Sequence, residues 1–219
     1  MIDLVKFENE KLRSQAVCLW KEAFGDSEEY INFFLDTHKG CTFVPLIENG
    51  VLVSALYLID GVLNDVDGFY LFAAATFKEH RSKGYMARLL KLAEEKAKQK
   101  NKSFIALVPA EKSLFGYYSR FGYKTAFYAK KQPKNLPVPE AENRFVWCKE
   151  HIDYILAEHA KYGTDILKND GEIYSVFGGE YIKVPCERNE EYRYGMLLEL
   201  DEKSKKLTQL NSYIGLTLE

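Results

Sequence analysis

The first forty residues carry apolar side chains at the spacing of two amphipathic helices. Apolar positions recur three and four residues apart and predict a helix over residues 10–24, ended by Gly25. Asp26 is followed three residues later by Glu29, a spacing that resembles a capping box. It predicts that a second helix begins at Asp26. The residues that predict the two buried faces are Leu12, Ala16, Leu19, Trp20, Ala23 and Phe24, then Tyr30, Phe33 and Phe34.

The pattern then changes to that of β-strands. Residues 42–47 and 51–59 are rich in β-branched and aromatic side chains, and Asn49-Gly50 between them predicts a tight hairpin turn. A longer turn is predicted over residues 60–67. A third strand is predicted over residues 68–76.

Helices and strands alternate between residues 77 and 129. We expect a helix that opens near Gly84, a strand over 103–108, a helix between Pro109 and Gly122, and a strand over 123–129. The order predicts a mixed α/β (α+β) layer architecture.

Three prolines interrupt regular structure over residues 132–140, which we interpret as a linker. It divides a main domain over residues 1–131 from a C-terminal α+β extension over residues 141–219. The extension is predicted to hold one helix, Phe145–Lys161, and an antiparallel meander. The predicted meander strands lie near 172–177, 180–185, 192–200 and 206–218.

Composition narrows the classes of function. Hydrophobic residues make up 47% of the 219-residue chain and charged residues 28%, which suits a packed core. The net charge of −2 argues against general nucleic-acid binding. No apolar run reaches the ~18 residues that span a bilayer, and the N-terminus has acids where a signal peptide has a basic start. We therefore expect a cytoplasmic protein that binds neither nucleic acid nor membrane.

Cysteine and histidine spacing gives no metal signature. The four cysteines lie far apart without a C-x-x-C pair, and reduced thiols fit a cytoplasmic protein better than disulfides. His151 and His159 share a predicted helix, where a solvated surface explains them better than a metal does. No metal is expected.

The turn before residue 85 carries the chemistry. A strand runs into Arg81-Ser82-Lys83-Gly84, which opens a helix, and helix N-termini bind anions through unpaired N–H groups and the macrodipole. Gly84 lets the backbone approach a phosphate closely. These features predict a pyrophosphate site, although an ordinary α/β connection with a solvated basic turn would look similar. The sequence lacks the mononucleotide and dinucleotide glycine loops and the G-x-S-x-G elbow.

Two motifs in order make the interpretation specific. Arg81-x-x-Gly84, after a strand ending Phe72-Ala-Ala-Ala-Thr76, resembles motif A of the GCN5-related N-acetyltransferases (GNAT). About thirty residues downstream, Phe115-Gly-Tyr-Tyr118-Ser-Arg-Phe121-Gly122-Tyr123 resembles the family's FYxxxGF motif, with Tyr117 in place of the usual Phe. The segment from Leu107 to Leu114 is similar to a branch that includes the enhanced intracellular survival acetyltransferases.

The resemblance implies a fold, a cosubstrate and its contacts. The fold would be a mixed, mostly antiparallel twisted sheet flanked by helices, with the C-terminal extension on the acceptor side. The cosubstrate would be acetyl-CoA. Its pantetheine arm would contact Ala74, Ala75 and Thr76, its pyrophosphate Arg81, Ser82, Lys83, Gly84, Tyr85, Met86 and Ala87, and its thiol end Ser113 and Leu114. Simple core packing is the alternative for Ala74 and Ala75. Met86 stands where the family pattern has Gly or Ala, and its larger side chain could narrow the site.

Tyr118 is the expected catalytic residue, because the second aromatic of the motif lies beside the sulfur in this family. A phenol can protonate the departing thiolate. The alternative is a core aromatic on the stripe of Leu114 and Phe121. For the general base, Asp65, Asp67, the C-terminal carboxylate and a water chain remain open, and the two aspartates also fit simple turn positions.

The implied activity is transfer of an acetyl group from acetyl-CoA to an amine of a small molecule or peptide. Aminoglycosides, polyamines, amino acids and protein amines all fit as acceptors. A non-catalytic acetyl-CoA-binding regulatory module and an acyltransferase with a longer acyl donor are the alternatives.

Overall fold

The computed structural model of the chain describes residues 10–163, 166–169 and 172–217. Its helices are α1 (Glu10–Phe24), α2 (Glu28–Thr37), α3 (Tyr85–Gln99), α4 (Ser113–Ser119) and α5 (Lys149–Tyr162). Its strands are β1 (Cys41–Glu48), β2 (Val51–Leu63), β3 (Val66–Thr76), β4 (Phe104–Leu107), β5 (Lys124–Pro133), β6 (Asn143–Trp147), β7 (Ile166–Asn169), β8 (Glu172–Phe177), β9 (Tyr181–Pro185), β10 (Arg193–Glu199) and β11 (Ser212–Tyr213). The predicted mixed α/β fold is confirmed.

The strands described here form one sheet in the order β10-β4-β3-β2-β6-β11-β5-β9-β8-β7, with β1 paired to β2. Most neighbours are antiparallel, whereas β3–β4, β11–β5 and β11–β6 are parallel. Because β10 also pairs with β5, the path from β10 to β5 closes on itself. The extension therefore supplies strands to the same sheet as residues 41–133, and the division into domains stays a prediction.

The sheet is buried on both faces, as the alternation along β2 shows. Tyr57 and Ile59 point into a core cluster with α1, α2 and α5, while Leu56 and Leu58 point into a second cluster with α3 and α4. Burial on both sides explains why this strand reads as an almost continuous apolar run rather than an alternating one.

Two short turns connect the first three strands. The predicted Asn49-Gly50 turn is confirmed, with φ angles of 51° and 76°. The turn predicted over residues 60–67 is wrong in length, because β2 continues to Leu63 and only Asn64 and Asp65 turn the chain. Both adopt positive φ, 51° and 61°, which Asn and Asp tolerate better than most residues.

The start of α2 also differs from the prediction. Ser27 is the N-cap, and its hydroxyl accepts a hydrogen bond from the backbone N–H of Tyr30 at 3.1 Å. The carboxylate of Asp26 instead accepts from the indole N–H of Trp20 at 2.7 Å. A buried indole N–H needs a hydrogen-bond acceptor, and Asp26 serves this purpose instead of capping α2.

The prediction of one helix over residues 145–161 is wrong at its start. Residues 143–147 form β6, and α5 begins only at Lys149. Trp147 pairs with Gly61, and the ring of Phe145 covers that glycine so closely that a Cβ there would lie 2.2 Å from it. Two of the predicted meander strands are found as β8 and β9, which pair antiparallel, and β7 precedes them although the sequence did not predict it. The strand predicted near 192–200 is β10, which pairs with β4 and β5 instead. In the described part of 206–218 only Ser212–Tyr213 form a strand, β11, and it is parallel to β5 and β6, so this part of the prediction is wrong.

No helix within the described ranges is long and apolar enough to cross a lipid bilayer.

Candidate active site

The site opens where the parallel strands β3 and β4 part. They pair only at Gly68–Phe104, Phe69–Ile105 and Tyr70–Ala106. Past Tyr70, β3 bends at Ala73, whose φ is 47°, and its register with β2 shifts between Ala55 and Tyr57. Such a bulge re-aims a strand, so β3 diverges from β4.

A cavity of about 600 Å³ occupies the gap between the two strands. Its walls come from β3, from β4 and the loop after it, from α4, from the α1–α2 corner, and from β9 and β10. The lining residues are Tyr70, Leu71, Phe72, Ala73 and Ala74; Leu107, Val108, Pro109, Ala110, Glu111 and Lys112; Leu114, Phe115 and Tyr118; Trp20, Phe24, Asp26 and Tyr30; and Lys183, Arg193 and Tyr194.

Three of the residues predicted for the site line this cavity: Tyr118, Ala74 and Leu114. Ala75 and Thr76 are buried just beyond it. The Ser54 hydroxyl donates to the carbonyl oxygen of Ala75 at 2.6 Å and lies 2.8 Å from the Thr76 hydroxyl. These contacts anchor the end of β3 to β2. The other edge of β3 faces the gap.

The predicted pyrophosphate turn directly follows β3. The Nε of Arg81 donates to the carbonyl oxygen of Thr76 at 3.1 Å, so this side chain holds the turn against the strand end. Ser82 and Gly84 both have positive φ, 61° and 78°, and Gly84 caps α3. A Cβ added to Gly84 would meet nothing within 4 Å, so the backbone is open to solvent there. Lys83 is exposed beside it.

The first turn of α3 presents its backbone to this open side. Tyr85, Met86 and Ala87 are its first three residues, whose N–H groups have no partner within the helix. The positive end of the macrodipole lies at the same place. The side chains of Tyr85 and Met86 pack against the core cluster of α3, which takes up the larger residue at position 86.

Ser113 and Leu114 begin α4 on the other side of the gap. Ser113 is exposed, and its hydroxyl donates to a carboxylate oxygen of Glu111 at 2.7 Å. Leu114 faces the cavity. Of the two predicted contacts at the thiol end, only the leucine side chain therefore lines the space between the strands.

Tyr118 presents a neutral phenol to the cavity. Burial, followed by the neighbouring Tyr117, raises the pKa of Tyr118 to about 12. Its ring contacts Tyr117 and Tyr123, with centroids 5.4 and 5.7 Å away. The hydroxyl therefore stays protonated at neutral pH and can act as a proton donor.

The candidate bases do not gather at the cavity. Asp65 lies in the β2–β3 turn, and one carboxylate oxygen of Asp67 lies 3.9 Å from the Lys102 ammonium. Neither residue belongs to the cavity wall. The C-terminal carboxylate, at Glu219, lies outside the described residues.

The prediction that His151 and His159 lie on a solvated helix surface is wrong for His151. His151 is fully buried rather than solvated, and it contacts His38 and the Leu216 carbonyl. Over residues 10–163, 166–169 and 172–217, no three His, Cys, Asp or Glu side chains are grouped to hold a metal ion. The four cysteines are free thiols.

Sequence reasoning missed the α1–α2 wall of the cavity. The sequence pattern places Trp20 and Tyr30 only on buried helix faces, and Asp26 only in a cap. The sequence does show a carboxylate between two helices rich in aromatic residues. No neighbouring residue indicates that this corner lies beside β3.

A sheet split between two parallel strands, an open helix N-terminus beside the split and a phenol in the cavity wall lie together at this site. Residues 5–126 match the family model described as an acetyltransferase (GNAT) domain. The match covers more than half of the chain. The chain belongs to the GNAT acetyltransferase family and is an acyltransferase.

Solved structures share the fold at low sequence identity. A probable N-acyltransferase of unknown function from Enterococcus faecalis V583 is similar with a TM-score of 0.62 and 10% identity, over 89% of this chain and 72% of that one. A GCN5-related N-acetyltransferase from Kribbella flavida gives 0.56 and 12%, over 88% and 71%. Eis1 from Mycobacterium abscessus gives 0.54 and 11%, over 81% of this chain but only 51%, about half, of that protein. No curated protein sequence matches this chain.

Proposed function

We propose that this enzyme transfers the acetyl group of acetyl-CoA directly to an amine of a small molecule or peptide in the cytoplasm. The observation that carries the proposal is the cavity between β3 and β4 with the Tyr118 phenol in its wall. Family membership supplies the reaction class, and the cavity supplies a place for the thioester.

Two backbone features would hold the coenzyme. The N–H groups at the start of α3 suit a diphosphate, with Arg81, Ser82 and Lys83 in the turn before it. Ala74, Ala75 and Thr76 lie on β3 past its last pair with β4, and β2 occupies only the other edge. The amide groups of a pantetheine arm are the natural partners for such an open strand edge.

Tyr118 would serve the collapse of the tetrahedral intermediate. The amine nitrogen forms a bond to the thioester carbon, the carbon–sulfur bond breaks, and the departing thiolate takes the phenol proton. A positioned general acid contributes about 10²–10⁴-fold to such a step. A water chain or the C-terminal carboxylate would accept the proton of the amine.

We also assign the chain to the branch of the enhanced intracellular survival acetyltransferases. The segment from Leu107 to Leu114 supports this assignment, and its residues Leu107 to Lys112 and Leu114 line the cavity. The shared fold with Eis1 from Mycobacterium abscessus is compatible with it.

The test has two parts. The purified chain is titrated with acetyl-CoA in a calorimeter, and a panel of amines is incubated with the chain and acetyl-CoA and then analysed by mass spectrometry. Saturable binding and amine products heavier by one acetyl group are expected. Binding without any product would favour the regulatory-module alternative. Absence of measurable binding would contradict the proposal as a whole.

A further inference from the structure

One wall of the cavity combines a carboxylate with aromatic rings. It consists of Trp20 and Phe24 at the end of α1, Asp26 in the corner, Tyr30 in α2 and Phe72 on β3, and we call it the acidic aromatic wall. A carboxylate among aromatic faces is the usual protein environment for an ammonium or guanidinium group.

Asp26 is held firmly in this wall. The indole N–H of Trp20 donates to its Oδ2 at 2.7 Å. Trp20 is only 3% exposed, and its ring is fixed by those of Phe34, Tyr57 and Phe72 at centroid distances of 4.9, 5.3 and 5.3 Å. Within the described part of the chain, Asp26 forms no ion pair with a lysine or arginine. Its charge is therefore available to a ligand.

The rings beside Asp26 remain accessible and neutral. Phe24 is 46% exposed, a high value for so large an apolar side chain, and contacts Trp20 edge-on at 6.2 Å. The Tyr30 hydroxyl donates to Glu158 at 2.6 Å. Burial, then Glu158, and to a smaller extent Asp26, raise the pKa of Tyr30, so its ring carries no charge of its own.

The basic residues of the cavity come from elements other than those of the acidic aromatic wall. Lys112, Lys183 and Arg193 come from the loop after β4, from β9 and from β10. Because β10 pairs with β4 whereas α1 packs on β2 and β3, Arg193 lies across the gap from the acidic aromatic wall. Arg193 already pairs with Glu190 at 3.1 Å, and the Lys183 ammonium lies 4.4 Å from the Tyr194 ring centre.

We propose that the acceptor is a dication, an unbranched diamine or polyamine in its simplest form, whose second ammonium group binds Asp26 between the rings of Phe24 and Tyr30. This inference rests on the proposed function. The first amine, once deprotonated, forms the new bond to the acetyl carbon, and coenzyme A leaves with a proton on sulfur. The second ammonium takes no part in bond making and fixes only orientation and affinity.

The test compares acceptors of equal length that differ at one end. Diamines from diaminopropane to diaminooctane are assayed with acetyl-CoA beside the corresponding monoamines and ω-amino acids. At one chain length, the diamine should have a kcat/KM about tenfold or more above that of the corresponding monoamine, as expected for a charge-assisted hydrogen bond. The Asp26→Asn variant keeps an acceptor for the Trp20 indole. It should bring the ratio of diamine to monoamine kcat/KM close to one.

Asp36→Asn is the matched control, because Asp36 lies in α2, pairs with Arg13 at 2.8 Å and does not belong to the cavity wall. It should leave the ratio of diamine to monoamine unchanged. Preference for an ω-amino acid, or an equal ratio in wild type and Asp26→Asn, would overturn the inference while acetylation itself upholds the proposed function. Calorimetric titration with the best diamine adds a readout without turnover. Equal diamine affinity in wild type and Asp26→Asn would overturn the inference even if no amine were acetylated.

Discussion

The Nε2 atom of His38 lies 3.0 Å from the Nδ1 atom of His151 in the interior of the protein. The Nε2 atom of His151 lies 3.0 Å from the carbonyl oxygen of Leu216, which can only accept a hydrogen bond. His151 therefore carries its proton on Nε2 and accepts from His38 through Nδ1. The relay joins α2, α5 and the C-terminal stretch, and burial disfavours a positive charge on either ring.

This relay predicts a loss of stability in mild acid. Burial, with a smaller contribution from His151, lowers the pKa of His38 to about 3, and burial lowers that of His151 to about 4. The unfolded chain binds these protons near pH 6.5 and the folded chain does not. The free energy of unfolding should therefore fall from about pH 6.5 toward pH 4, by up to about 1.4 kcal/mol per pH unit for each ring.

Urea unfolding at stepped pH measures this slope. His38→Gln removes one titrating ring and should reduce the histidine contribution to about half. Equal slopes in wild type and His38→Gln would contradict the relay.

A substitution at Gly84 should weaken coenzyme binding. Its φ is +78°, so alanine there adds about 1–2 kcal/mol of backbone strain and places a methyl group where the diphosphate is proposed to approach. We expect the Kd for coenzyme A to rise about tenfold or more, since contacts to a charged group are lost.

Gly163→Ala is the control for strain alone. Gly163 has a φ of +68° and equally open surroundings at the end of α5. It should lose similar stability without a change in Kd. If the two variants bind coenzyme A equally well in calorimetry, the diphosphate does not bind at the start of α3.

The strand pair at the base of the gap depends on Gly68. A Cβ at this position would lie 2.4 Å from the ring of Phe104, which is fully buried opposite it. Gly68→Ala should therefore destabilise the fold by about 1–3 kcal/mol, as overpacking does. Gly116→Ala, at an open position in α4, should leave the free energy of unfolding unchanged or raise it slightly. Thermal unfolding of both variants measures the difference, and equal melting temperatures would be inconsistent with this packing.

The elements that the sequence predicts well are those with local signals. The Asn49-Gly50 turn and the helix opened by Gly84 depend on backbone conformations that few residues adopt, so their position is visible in the sequence. The helix over residues 10–24 follows from its apolar spacing alone. The proposed roles of Tyr118 and Gly84 also start from local signals, since each residue lies in a motif, and they stay predictions.

What the sequence could not reveal depends on contacts between distant segments. Phe145 and Trp147 fit a helix as well as a strand, and β6 is a strand because Gly61, more than eighty residues away, offers a site for the Phe145 ring. The cavity shows the same limit, because Asp26 and Arg193 reach it from opposite ends of the chain. Only the path of the sheet brings them to one gap.

The most direct measurement for the proposed mechanism is a comparison of Tyr118→Phe with Tyr117→Phe. Tyr117 lies next to Tyr118 in α4 and does not belong to the cavity wall, so it controls for loss of a hydroxyl in the same helix. If Tyr118 protonates the leaving thiolate, Tyr118→Phe lowers kcat by about 10²–10⁴-fold with little change in the Kd for acetyl-CoA. Tyr117→Phe leaves both constants close to wild type. A kcat for Tyr118→Phe equal to that of Tyr117→Phe would remove Tyr118 from the chemistry.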